Sequence, residues 1–218
     1  MKKIALLVLL SLVLSTFLVA CGNKDDSVSK DKGSAKEEKI ATLFEKSEKI
    51  KDLSYDFIMT SEEEVTKGKN WTKDKWVKNQ FMADEEEIIY ILDMNKNISY
   101  TYLPTKKMAI KMNVKNPENE SIKKPSDYIK NINLENAKIV ETTTYADEEC
   151  KVISEVNKDG KEILKMWFST KSNLPIKVEE GLDSDKKVVM EYKNIKTEKI
   201  SENIFELPKD VLITDVTK

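Results

Sequence analysis

The sequence predicts a mainly β chain with some helix, an α+β fold built on an antiparallel meander. Three observations predict it. From Leu53 onward, apolar residues alternate with polar ones. The alternating runs are short and are divided by turn-forming residues. Just before them, Ile40, Leu43, Phe44 and Ile50 recur near helical spacing instead.

The chain opens on a different signal. Lys2 and Lys3 precede an apolar run from Ile4 to Ala20, which ends in Leu18-Val19-Ala20-Cys21-Gly22. Charge, apolar length and small residues stand before a cysteine in the order of a secretory leader. This resembles a bacterial lipoprotein signal peptide with its lipobox. The resemblance implies that residues 1–20 are removed and that Cys21 carries a diacylglycerol. Such a chain is tied to the outer face of the cell membrane. The alternative is an uncleaved membrane anchor. Its 17 residues would make roughly 25 Å of helix, against a hydrocarbon core of about 30 Å.

Gly22 to Gly33 is Ser, Asp, Lys, Asn and Gly with a single Val28, too polar for a core. Residues 21–33 therefore read as a lipidated tether and residues 34–218 as one β-rich domain. Ser34 with Glu37 has capping-box spacing, which starts the helix there. Its apolar stripe should lie on a sheet.

Leu53, Tyr55, Phe57 and Met59 then point to one side of a strand. Trp71 and Trp76 follow on a second, and Phe81 begins or continues the next. On one continuous strand their separation of five puts the tryptophans on opposite faces. One would be core and the other exposed, a candidate partner surface; the alternative has both packed or covered. Ile88 to Leu92 is apolar on both faces, which predicts a central, covered strand. Ile98, Tyr100 and Tyr102 alternate again, as do Met108, Ile110 and Met112. Pro117 and Pro125 interrupt the pattern, and Asp127 to Ile132 reads as a short helix. Strands resume at Ile139–Tyr145, Glu149–Val156, Glu162–Ser169, Ile176–Glu180 and Lys187–Tyr192. Asn157-Lys158-Asp159-Gly160 is a hairpin signal, because Asp-Gly supplies positive φ.

Composition excludes more function classes than it selects. The 37 basic residues are all lysine, and 39 acidic residues nearly cancel them. That balance leaves no basic excess for nucleic acid. Absence of arginine points to an AT-rich coding sequence and a low-GC Gram-positive source. Histidine is absent, which removes the commonest general base and metal ligand. Once Cys21 is lipidated, Cys150 stands alone, so no intramolecular disulfide forms. Cys150 shares a face with Val152 and Val156 and reads as a small buried hydrophobe.

Asp93-Met94-Asn95-Lys96-Asn97 opens like a calcium loop, but Ile98 and Pro104 stand where glycine and glutamate are needed. It reads as a polar turn. The runs Glu62-Glu63-Glu64 and Asp84-Glu85-Glu86-Glu87 read as solvated strand ends, since neighbours on a strand point apart. No phosphate-cradling loop and no nucleophile elbow is present. No catalytic residue, metal ligand or cofactor is expected. The seven methionines after the leader, several expected on inward strand positions, could line a concave sheet able to accept acyl chains. The alternative is an ordinary adaptable core.

The C-terminal third carries a family resemblance. Lys165-Met166-Trp167-Phe168-Ser169-Thr170 is followed by Leu174-Pro175-Ile176-Lys177, then Met190-Glu191-Tyr192-Lys193-Asn194-Ile195, then Phe205-Glu206-Leu207-Pro208. With the Leu53-Ser54-Tyr55 strand after a helix, residues 37–212 resemble the LolA-like lipoprotein-carrier superfamily. The resemblance implies a curved, incomplete antiparallel β-barrel, a half-barrel with helices on its concave side. Its members carry lipids or lipidated proteins, or serve as lipid-anchored envelope factors. The carriers are soluble, whereas this chain has a lipidation signal and no arginine. In that it is similar to the spore germination lipoproteins of the GerS type. That likeness implies a non-enzymatic module that binds a cell-wall amidase. The alternative is a carrier of lipid or lipoprotein.

Overall fold

A computed structural model describes residues 39–62, 64–117 and 121–217. The leader, Cys21, the 21–33 tether and the Ser34–Glu37 pair lie outside the described residues. Two α-helices, α1 (Ile40–Phe44) and α2 (Pro125–Asn131), accompany twelve strands. The first six are β1 (Asp52–Ser61), β2 (Glu64–Lys73), β3 (Trp76–Ala83), β4 (Glu86–Asp93), β5 (Ile98–Leu103) and β6 (Met108–Asn113). After α2 come β7 (Ala137–Tyr145), β8 (Glu148–Val156), β9 (Glu162–Ser169), β10 (Leu174–Glu180), β11 (Val188–Lys196) and β12 (Leu212–Asp215).

They form one curved, open sheet in the order β12-β6-β5-β4-β3-β2-β1-β11-β10-β9-β8-β7. This is the predicted fold class, mainly β with helices laid on one face. Ten of the eleven pairings are antiparallel; β12 runs parallel to β6.

The alternation works as a face code. Leu53, Tyr55 and Phe57 are buried, and their register partners Thr72, Asn70 and Gly68 share the same side. On that inner face Ile40, Leu43 and Phe44 of α1 and Tyr128 and Ile129 of α2 pack on β1 and on β8 to β11. The Phe44 and Phe168 rings lie 5.4 Å apart, within the range of favourable aromatic pairs. Met166, Phe168, Val178 and Ile153 are fully buried beneath the helices. The first helix is shorter than expected. Lys39 is extended, so the helix starts at Ile40, and Ile50 reaches the core only beyond a 3₁₀ turn, Ser47–Lys49.

At its Ile91–Leu92 end β4 is covered on both faces as predicted, while Ile88 and Tyr90 are only half-buried. Leu92 packs with Val77 and Val114 on the inner side, and Ile91 with Ile200 and Phe205 on the outer side. Hairpin chemistry is local. At Asn157 the side-chain Oδ1 accepts from the N–H groups of Asp159 and Lys161, and Gly160 takes φ 76°. The Asp93 carboxylate accepts from the backbone of Asn95 and Lys96, so that stretch is a polar turn. Asp84 and Glu85 both take positive φ in the β3–β4 turn.

One expectation is corrected. Trp71 and Trp76 do not share a strand. Asp74, itself at φ 49°, turns the chain between β2 and β3. Lys73 then faces Trp76, and Trp71 faces Lys78. Both indoles therefore lie on the same outer face. The methionines divide between the core and the surface. Met166 and Met190 are buried, but Met82, Met108 and Met112 are exposed.

Candidate functional site

Coverage of the inner face stops partway across the sheet. Beyond β1 it is carried by β2 to β6, and here the packing thins into an apolar cavity of about 430 Å³. Its floor is Met59, Phe81, Ile88 and Tyr90, with Thr66 and Thr101 at the sides and Ile122 above. The register explains the convergence. Met59 pairs with Thr66, Phe81 with Ile88, and Tyr90 with Thr101, so alternate residues of five neighbouring strands meet on one side.

Ile122 is positioned from the helix-covered half. The Tyr192 hydroxyl donates to the Lys123 carbonyl at 2.8 Å, and Tyr192 meets Tyr55 edge-on at 5.2 Å. Burial pushes both phenols well above the ordinary tyrosine value. This protonated aromatic wall fixes the next residue, Ile122, over the cavity.

A buried polar strip runs between core and cavity. The Asn70 side-chain amide donates to Asn79 Oδ1 at 2.7 Å, and Thr72 Oγ1 donates to Asn70 Oδ1 at 2.9 Å. Buried amides need such partners. Asn79 also lines the cavity, where it is the one amide among aliphatic, aromatic and threonine side chains. No charged residue lines it. Apolar walls with a single fixed amide suit an alkyl chain carrying an ester or amide group. Three other hollows are lined largely by lysine, aspartate and small polar residues and lack such walls.

On the outer face the segment Ile200 to Leu207 crosses β2 to β5. Ile200 and Phe205 pack on Ile91, with Trp71 and Trp76 half-buried alongside. Lys73 and Lys78 donate to the carbonyls of Ile200 and Ile204, each at 3.0 Å. The Lys78 ammonium also sits 5.6 Å from the Trp71 ring, a cation–π distance, and burial lowers its pKa. The two candidate partner residues thus anchor the C-terminal segment.

Cys150 is fully buried, and burial raises its thiol pKa. Among the described residues no cluster of three or more His, Cys, Asp and Glu side chains is placed to hold a metal ion. Sequence reading named the methionines as a lining, yet only Met59 reaches the cavity. It missed Thr66, Asn79, Thr101 and Ile122, which no local pattern joins.

No protein-family model matches the chain, and no curated protein matches it in sequence. Solved structures do. An uncharacterised conserved protein from Thermus thermophilus aligns with a TM-score of 0.53 at 10% identity, over 81% of this chain and 96% of that one. That likeness is one of fold. A LolA superfamily protein from Nitrosomonas europaea is also similar, with a TM-score of 0.40 at 10% identity over 77% and 97% of the two chains. A MucA/MucB complex structure from Pseudomonas aeruginosa gives 0.46 at 9% identity, over 81% and 62%.

Proposed function

We propose that this protein is a non-enzymatic binding module of the LolA-like kind, anchored through lipidated Cys21 to the outer face of the cell membrane. Its ligand is a lipid or lipidated peptide, whose acyl chain lies on the open half of the inner face. One observation carries this reading: an open apolar cavity of about 430 Å³, lined without any charged group. A volume of this order matches small-molecule sites, and apolar walls favour an alkyl ligand. The reading assigns the chain no chemistry of its own.

The test is mass spectrometry of lipid co-purifying with the full chain, beside displacement of a fluorescent fatty acid. Thr66→Trp puts an indole into the cavity from β2. It should abolish both signals and leave the thermal midpoint near that of the parent. Equal lipid recovery from parent and variant would refute the site.

The finer reading, a germination lipoprotein of the GerS type bound to a cell-wall amidase, uses the same envelope position. It would use a different surface. The outer edge of β7 is unpaired in the sheet, and Val140 is exposed there; such edges can accept a partner strand. Capture of an amidase that survives Thr66→Trp but is lost on Val140→Lys would favour it over the carrier.

A further inference from the structure

Ten large apolar side chains are exposed among the described residues, and six of them gather at one edge of the sheet. Met108, Ile110 and Met112 come from β6, Leu212 and Ile213 from β12, and Val216 from just beyond it. The register puts most of them on one side. Leu212 lies beside Met108 and Thr214 beside Ile110, and the Val216 N–H continues the ladder to the Lys111 carbonyl. That side is the inner face. Thr101, in the cavity wall, pairs directly with Ile110, and Leu103 with Met108. The apolar rim is therefore continuous with the cavity mouth.

The same edge is cationic. Residues 104–116 hold Lys106, Lys107, Lys111 and Lys115 and no acid. Residues 207–217 add Lys209, Asp210 and Asp215, and Glu86 on β4 pairs with Lys106 at 2.9 Å, so five lysines stand against three acids in a chain of net charge −2. Lys107 and Lys111 bind those aspartates at 2.5 and 2.7 Å, which fastens β12 to β6.

We infer that the β6–β12 rim is a membrane-docking surface that seats the cavity mouth on an anionic leaflet. Exposed apolar side chains flanked by lysines are what an interface of acyl chains and acidic headgroups accepts. Protein interface cores, by contrast, are depleted in lysine. A single lipid anchor at Cys21, 19 residues before Ile40, does not by itself choose which face meets the bilayer. The rim chooses it, and an acyl chain can then pass between leaflet and cavity without crossing water.

This inference rests on the membrane tethering proposed above, and the experiment separates the two. The full chain, lipidated at Cys21, is reconstituted into vesicles of phosphatidylglycerol and phosphatidylcholine. Thr214→Cys on β12 carries an environment-sensitive fluorophore, and Thr144→Cys on β7 carries it in a control; buried Cys150 is shielded from the label. Nitroxide-labelled lipid should quench the Thr214 probe and spare the Thr144 probe. Removing Lys115 or Lys209 as glutamine should shift docking about fivefold each toward the undocked form, the effect of one lysine near a charged leaflet. Protein that floats with vesicles but shows no quenching at 214, or equal quenching at both probes, overturns docking and leaves tethering intact. Quenching at 214 that appears only after another protein is added assigns the rim to a protein partner and overturns docking too. Protein that fails to float refutes the tethering instead.

Discussion

Gly68→Ala tests how closely the cavity floor is packed. Gly68 lies within β2, outside the positive-φ region, opposite Phe57 on β1 and Phe81 on β3. Alanine at such a position ordinarily stabilises by about 0.4–1 kcal/mol, because it narrows the unfolded ensemble. Here its Cβ would lie 2.7 Å from Phe57 Cζ and 2.8 Å from Phe57 Cε1. It would lie closer still to the Gln80 carbonyl oxygen, which belongs to the backbone and cannot rotate away. Phe57 is only 1% exposed, so its ring has nowhere to swing. Overpacking of this kind costs about 1–3 kcal/mol. The steric term wins, with a net loss of about 1–2 kcal/mol after the opposing entropy gain. For a domain of this size that lowers the thermal midpoint by about 2–8 °C. Calorimetry or circular dichroism against temperature reads it, with fatty-acid displacement alongside because Phe81 shares the strain. An unchanged or raised midpoint would show that Phe57 and β3 yield freely, and the packing argument would fall.

Other outcomes follow from single residues. Phe168→Ala empties a fully buried site against Phe44 and should cost about 3–5 kcal/mol in urea unfolding; a loss under about 1 kcal/mol would mean the helices do not seal that half. The Cys150 thiol, buried and held above its ordinary pKa by burial, should react with a thiol reagent far more slowly in the native protein than in urea. Equal rates would overturn its core role. The carboxyls of Asp210 and Asp215 are held below the ordinary aspartate range by hydrogen bonds from Lys107 and Lys111. Their folded pKa values lie below the unfolded ones, so the β12 clamp is complete above the ordinary value of about 3.9 and is lost as pH falls through the lowered values. Exchange at the Val216 N–H, corrected for intrinsic rate, should lose protection below that value. Protection lost already near neutrality would refute the clamp.

Much of the strand layout is legible because alternation is a local code. Leu53, Tyr55 and Phe57 are buried as their spacing requires, and Ile91 with Leu92 shows why a two-sided apolar run marks an interior strand. The Asn157–Gly160 turn is equally local. The break between β2 and β3 is not. Asp74 takes the left-handed conformation without glycine or an Asn-Gly pair to announce it, so the two tryptophans read as one strand. Gly68, a glycine inside an alternating run, was the available hint of close backbone approach. Met108, Ile110 and Met112 carry a deeper lesson. Their period says that they share a face, but whether anything covers that face depends on residues far away in sequence. The cavity is illegible for the same reason, since five strands and a loop each contribute one or two residues.

Geometry explains why half of the inner face stays open. Neighbouring strands lie about 4.8 Å apart, so the twelve strands span on the order of 50 Å across the sheet. A helix with its side chains is about 10–12 Å wide. Two helices side by side cover about 20–24 Å, or four to five strands. The buried residues packed with α1 and α2 come from five strands, β1, β11, β10, β9 and β8, with Ala137 and Ile139 of β7 and Phe81 of β3 half-buried at the margins. With five and seven residues, the helices are also too short to reach further lengthwise. Over β2 to β6 the only cover from the intervening chain is Val114 on Leu92 and Ile122 at the cavity, among the described residues. Apolar side chains left exposed there, Met108, Ile110 and Met112 among them, would be a liability in a protein whose task was only to fold. The outer face of the same strands shows that this chain can close such a surface, because Ile200 to Phe205 does so over Trp71 and Trp76. On the proposed reading, the open part of the inner face is covered by what the protein binds.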